Sequence, residues 1–180
     1  MGNVFVTSDL HFFHNREFVW EARGYESMEE MNEIQIEKFN SIVRPEDTCY
    51  LCGDVALGPD PQAAADILKK LNGNKILIFG NHDSPAKIKK YQEENVFSDY
   101  QYAFVAKIAK LPFYFSHYPT LTGNGSSFAA INLFGHTHQI VNNFNDEPWM
   151  THIGVDSRDG FPVNVEDIAK EMKEKVKDLL

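Results

Sequence analysis

Apolar positions along this chain fall into short runs, each stopping at a small residue that is followed closely by a side chain able to bind a cation. Val4-Phe5-Val6 runs through Ser8 to Asp9, Cys49 to Cys52 through Gly53 to Asp54, and Ile76 to Phe79 through Gly80 to Asn81. Phe113 to Phe115 runs through Ser116 to His117, and Ile131 to Phe134 through Gly135 to His136, with His138 two residues on. Runs of this length, rich in β-branched and aromatic residues, predict strands. Five strands ending alike predict a shared rim where the polar ends gather.

Helical signals separate the early strands. Asp60 as a cap, Pro61 in the first turn and Ala64, Ile67, Leu68 and Leu71 on one face predict a helix that Gly73 stops. Ser27 with Glu30 forms a capping-box pattern opening a helix to about Val43. Ser84-Pro85 opens a shorter helix whose Lys87, Lys89 and Lys90 are expected to coat its wet face. From Tyr100 onward the texture turns to period two, until Asn164 and Asp167 cap a final amphipathic helix carrying Ile168, Met172, Val176 and Leu179. The pattern predicts two sheets with helices outside them. No repeat or linker divides the chain, so residues 1–180 are expected to form a single domain, with Pro119 to Ala130 as one mobile loop bordering the site.

Composition narrows the partners. The 17 basic and 26 acidic residues give a net charge of −9, a field that repels nucleic-acid backbones and anionic membranes, so long nucleic acid is not an expected partner. No apolar run approaches the roughly 18 residues needed to span a bilayer, and the N-terminus enters a strand pattern without a signal peptide's regions; a cytoplasmic protein is expected. Cys49 and Cys52 stand three apart in a strand, where their thiols point to opposite faces, so they are expected to pack and not to bind a metal.

Of the seven histidines, all but His152 fall at or beside the strand ends: His11, His14, His82, His117, His136 and His138. Any one of them alone would be read as a hydrogen-bonded structural residue; the set is not. Asp9 with His11, and His136 with His138, are spaced so that both members of each pair can face one cation. Imidazole, carboxylate and amide donors without thiolate suit Mn, Fe, Zn, Ni or Co at a catalytic centre.

The blocks Asp9-Leu10-His11, Gly53-Asp54, Gly80-Asn81-His82-Asp83, His117 and Gly135-His136-Thr137-His138, in this order, resemble those of the calcineurin-like metallophosphoesterase superfamily. The resemblance implies an α/β fold, a four-layer α/β/β/α sandwich of two facing mixed sheets. It implies two divalent metal ions, Mn first among them, with Asp9, His11 and His138 on one, Asn81, His117 and His136 on the other, and Asp54 bridging. Two cations about 3.5–4 Å apart acidify a shared water and neutralise charge on attacking and leaving oxygens, which is why such a site hydrolyses phosphoesters.

By the same resemblance His82 acts on the substrate, stabilising the transition state and protonating the leaving oxygen, with Asp83 orienting its ring; an imidazole suits that role near neutral pH. Asn81 is also placed beside the substrate. His14, in the continuation His11-Phe12-Phe13-His14, and Arg16 are weaker candidates for gripping phosphate, with a solvated helix start as the alternative for Arg16. Arg16 is the one arginine inside the blocks, which favours a small, singly charged phosphodiester such as a cyclic or short nucleotide over a monoester. A phosphomonoesterase, a nuclease, or a non-enzymatic metal-binding scaffold are the rival readings; oligomeric state is left open.

Overall fold

The structure, a computed structural model, describes residues 2–122, 130–138, 144 and 147–177. Leu179 and most of the loop expected over 119–130 lie outside the described residues. The first sheet holds β1 (Val4–Thr7), β2 (Thr48–Cys52), β3 (Asn74–Ile78), β4 (Asp99–Gln101) and β9 (Val163–Asn164), in the order β4-β3-β2-β1-β9. Strands β1 to β4 are parallel and β9 pairs antiparallel with β1. The second sheet runs β5 (Ala103–Ile108), β6 (Leu111–Ser116), β7 (Ile131–Phe134), β8 (Met150–His152), with β5 antiparallel to β6 and the rest parallel. Both sheets are mixed, and with their helices they make the expected α/β sandwich.

Five helices accompany the sheets among the described residues: α1 (Glu17–Trp20), α2 (Met28–Ile42), α3 (Pro61–Lys69), α4 (Pro85–Glu93) and α5 (Val165–Val176). Their starts are chemical. Ser27, Asp60, Ser84 and Asn164 each accept a hydrogen bond from a first-turn N–H, and Pro61 and Pro85 sit where a missing N–H costs nothing. The capping box of α2 is displaced by one residue: Ser27 accepts from the Glu30 N–H, but the Glu30 carboxylate reaches back to the N–H of Glu26.

Period two along the strands divides the core into two clusters. Phe5, Cys49, Leu51 and Leu77 face the helices, packing with Phe39, Ala64, Leu68 and Tyr91 of α2, α3 and α4. Their strand neighbours Val6, Cys52 and Ile78 face the second sheet and meet Phe113, Phe115, Ile131 and Leu133; α5 adds Ile168, Ala169 and Met172 to that cluster. Cys49 and Cys52 thus lie in different clusters, free and buried. Full burial of each large apolar side chain contributes about 1.5–3 kcal/mol. Among the described residues no helix is long and apolar enough to cross a membrane.

One expectation is corrected. Lys87 does not coat the wet face of α4: it is buried, and its ammonium donates to the carbonyls of Ala56 and His82. The helix begins directly after the His82 loop, so its first full turn presses against the back of that loop. Lys89 and Lys90 do face outward, pairing with Glu93.

Parallel register is what assembles the site. Thr7 pairs with Leu51 and Cys52 with Ile78, so the loops after β1, β2 and β3 emerge side by side. Phe115 pairs with Leu133 and Phe134 with His152, aligning the ends of β6, β7 and β8 in the same way. A bridge between Ser8 and Gly154 joins the two rims.

Candidate metal centre

The loop backbones are tied to one another before any side chain is considered. The Asp9 N–H donates to the Gly53 carbonyl at 3.1 Å and the His11 N–H to the Asp54 carbonyl at 3.0 Å. Across the second rim the Gly135 N–H donates to the His117 carbonyl at 2.9 Å. Asp9, His11, Asp54, His136 and His138 all take left-handed backbone conformations, with φ between 47° and 68°. Such a conformation costs about 1–2 kcal/mol in a residue with a Cβ, and here it turns each side chain inward off its strand end.

The glycines of the blocks are required by the neighbouring side chains. A Cβ on Gly80 would stand 2.2 Å from Asp54 Oδ1, and one on Gly135 would stand 2.1 Å from Asp9 Oδ2. Gly80 therefore makes room for the carboxylate that follows the adjacent strand, and Gly135 for one that follows a strand of the other sheet.

Two groups of donor atoms result. In the first, Asp9 Oδ1 lies 3.8 Å from both His11 Nε2 and His138 Nε2, and the two ring nitrogens are 3.0 Å apart. In the second, His117 Nε2 lies 3.4 Å from Asp54 Oδ2 and 3.0 Å from Asn81 Oδ1, with His136 alongside. Asp54 Oδ2 is also 3.7 Å from His11 Nε2, so this one oxygen stands between the groups.

The donor set fits divalent cations. His117 Nδ1 is 2.9 Å from the Cys52 carbonyl, which places the proton on Nδ1 and points the Nε2 lone pair at two oxygens. His138 Nδ1 faces Asp156 Oδ2 at 3.1 Å, which likewise leaves its Nε2 as a lone pair turned toward His11 and Asp9. Asp9 Oδ1 is buried without a hydrogen-bond partner. Lone pairs converging in this way repel unless a cation lies among them. Without a metal, burial would raise the Asp54 carboxyl, but a proton on His117 Nε2, taking the place of the cation, and the N–H of His82 outweigh it and pull the pKa down to about 2.

The structure brings nearly all the expected residues together and reassigns some. His82 is exposed at the rim; its N–H donates to Asp54 Oδ1 at 2.8 Å and its Nε2 lies 4.0 Å from Asp54 Oδ2. Asp83 does not reach the His82 ring. Its buried carboxylate accepts from the N–H groups of Gly80, Asp54 and Val55, stitching two site loops together, and burial raises its pKa. His14 stands edge-on to His11 at 5.6 Å, and burial, then the charge of His11, lowers its pKa to about 4. Arg16 is exposed at the start of α1 and is not among the residues lining the cleft, while Arg158 is turned to the His152 carbonyl, Thr151 and Glu171.

Three residues enter that the sequence reading passed over. Arg23 forms two hydrogen bonds to the Asp156 carboxylate, at 2.8 and 3.1 Å, and donates to the carbonyls of Asp9 and Leu10. Asp156 in turn holds His138. His152, set apart from the other histidines in the sequence, ends β8 and backs onto Asp9: a Cβ on Gly154 would lie 3.1 Å from both Asp9 Oδ2 and His152 Nε2. Arg23 and Asp156 separate two cavities. The larger, about 410 Å³, opens on His11, His82 and His138; the smaller, about 240 Å³, is lined by Tyr25, Gln35 and Lys38.

Comparison with known proteins bears on the family and the fold. Relatives include an uncharacterized protein of Methanocaldococcus jannaschii, 36% identical over 84 residues, or 46% of this chain and 48% of that protein. The match thus spans about half the length of that relative. The gene 66 protein of Mycobacterium phage L5 is 25% identical across 87% of this chain and 88% of its own length. Among solved structures, a protein of unknown function from Aquifex aeolicus superposes with a TM-score of 0.70 at 21% identity, covering 94% of this chain and 99% of that one, and so shares the fold. The family model for calcineurin-like phosphoesterases matches residues 2–171. The chain therefore belongs to the calcineurin-like phosphoesterase family.

Proposed function

We propose that this chain is a dinuclear-metal-dependent phosphoesterase acting on small phosphodiesters. The observation that carries the reading is Asp54 Oδ2, which lies 3.7 Å from a nitrogen of one donor group and 3.4 Å from a nitrogen of the other. Asp9, His11 and His138 would hold one ion, Asn81, His117 and His136 the second, and Asp54 both. Two bound divalent ions would acidify a shared water and neutralise charge on the reacting oxygens. The protein's own contributions are positional. Asp83 and the Asp54 carboxylate fix the loop that carries His82, and the solvent-facing His82 ring is placed to stabilise charge on the phosphoryl group and to protonate the leaving oxygen.

The preference for diesters is supported by the cations the cleft lacks. Among the described residues lining it, Arg23 is the one arginine, and its guanidinium is already taken up by Asp156 and two backbone carbonyls. Among the described residues lining the cleft, no free arginine or lysine joins the metals and His82 to offset the second charge of a monoester. The test compares bis-aryl and mono-aryl phosphates after removal of metal and reconstitution with Mn. Activity should vanish in chelator, return with the metal, and show higher kcat/KM for the diester. Full activity in metal-free protein would overturn the dinuclear reading, and a clear monoester preference the diester reading alone. Asp54→Asn should lower the content of both metals; unchanged content would remove Asp54 from the bridging role.

A further inference from the structure

One wall of the catalytic cleft is unlike the rest. Opposite His11, His82 and His138, α1 and the turn after it present Phe18, Val19 and Ala22 to the same cavity. Phe18 and Val19 stand four and three residues before Ala22, the spacings that bring side chains together on one side of a helical turn. Phe18 is 71% exposed, and its recorded ring contact is with His14, edge-on at 5.9 Å. Isolated exposed apolar residues are ordinary; an aromatic ring left open over most of its surface, flanked by two more apolar groups and beside a metal-type centre, is a surface a ligand can cover. The cavity's 410 Å³ lies within the ~300–1000 Å³ typical of small-molecule sites.

We infer that this wall is a subsite for an aromatic ring carried by the phosphoester substrate, with Phe18 as its specificity-determining residue. The inference rests on the proposed phosphodiesterase reading, because it places the ring relative to a phosphoryl group seated between the donor groups. Two independent facts converge on an uncharged, planar substituent. The wall offers apolar surface and a ring edge or face, and the one arginine among the described residues of the cleft already engages Asp156, two backbone carbonyls and the Met31 sulfur, leaving no donor to spare for a second phosphate or a carboxylate. The His14 ring, edge-on to Phe18 on one side and to His11 on the other, extends the aromatic surface inward to the centre. A substrate held this way is anchored at the metals by its single negative charge and at α1 by stacking.

The test uses three monoanionic, slowly hydrolysed ligands: methyl methylphosphonate, methyl phenylphosphonate, and thymidine 5′-methylphosphonate. Binding to Mn-loaded protein is read by calorimetry and by inhibition of bis-aryl phosphate hydrolysis. The phenyl ligand should bind about tenfold more tightly than the methyl ligand, equivalent to roughly 1.4 kcal/mol. In Phe18→Ala that ratio should fall close to one, and in Phe18→Leu to an intermediate value. A thymidine ligand that shares the advantage and loses it in Phe18→Ala makes the ring a nucleobase; one that gains nothing makes it a simple aryl group. A phenyl-to-methyl ratio unchanged by Phe18→Ala overturns the subsite. Absence of turnover by wild-type protein on every phosphoester would count against the phosphodiesterase reading itself, whereas turnover with no aromatic preference sinks only this inference.

Discussion

Replacing Asp156 with Asn keeps the shape of the side chain and removes its charge, so it isolates what the carboxylate does. The Arg23 and Asp156 side chains are 7% and 9% exposed, and the contact is a fork with two hydrogen bonds. Whichever way the new amide turns, its NH2 group meets a guanidinium N–H. Removing one partner of a buried pair costs about 3–5 kcal/mol. The lower end is expected here, because Arg23 keeps the carbonyls of Asp9 and Leu10. The second consequence is at His138. With the NH2 facing Nδ1, the imidazole proton is driven to Nε2, which is the atom turned toward Asp9 and His11. Loss of a partner that orients a metal-binding histidine typically costs about 10–100-fold in affinity. Denaturant unfolding of metal-free protein at pH 7 should therefore show a loss of about 3 kcal/mol. Titration with Mn should show one of two affinities falling 10–100-fold while the other holds. Unfolding within about 0.5 kcal/mol of wild type, together with two unaltered affinities, would refute the reasoning on both counts.

Three further outcomes are expected. His82→Ala should retain both metals by elemental analysis and lose about 10²–10⁴ in turnover, with partial recovery on esters of better leaving groups; a fall in metal content would make His82 a ligand. Asp83→Ala strips a partner from the N–H groups of Gly80, Asp54 and Val55 and should lower unfolding free energy by about 3 kcal/mol, whereas a residue that merely oriented the His82 ring would alter turnover with little change in stability. Gly80→Ala should lower metal content in a protein that still folds, since its Cβ would displace Asp54 Oδ1; full metal occupancy would show that the loop yields.

The strands, the helix caps and the five blocks were legible because each is local: a run, a cap, a glycine beside a ligand. The opposite-facing cysteines were legible because period two is geometry. Lys87 and Asp83 were misread for one reason, that a loop folding back on itself hides which side of it is wet, and polar side chains on the inner side bond to backbone. Arg23 and Asp156 are 133 residues apart and meet through the joining of the two rims at Ser8 and Gly154, which no local pattern reports. A faint signal existed all the same: the segment Met150 to Ile153, broken by the polar Thr151 and His152, leads through Gly154 toward Asp156, a weakened echo of the strand, small residue and ligand theme.

The left-handed turns at Asp9, His11, Asp54, His136 and His138 have a bearing on how such a sequence drifts. At about 1–2 kcal/mol each, they are a standing load on a fold whose net stability is typically 5–15 kcal/mol. Glycine or asparagine at those positions would relieve the backbone at once. Were the proposed cations no longer needed, drift would have a downhill route to higher stability that erases the donor atoms one after another.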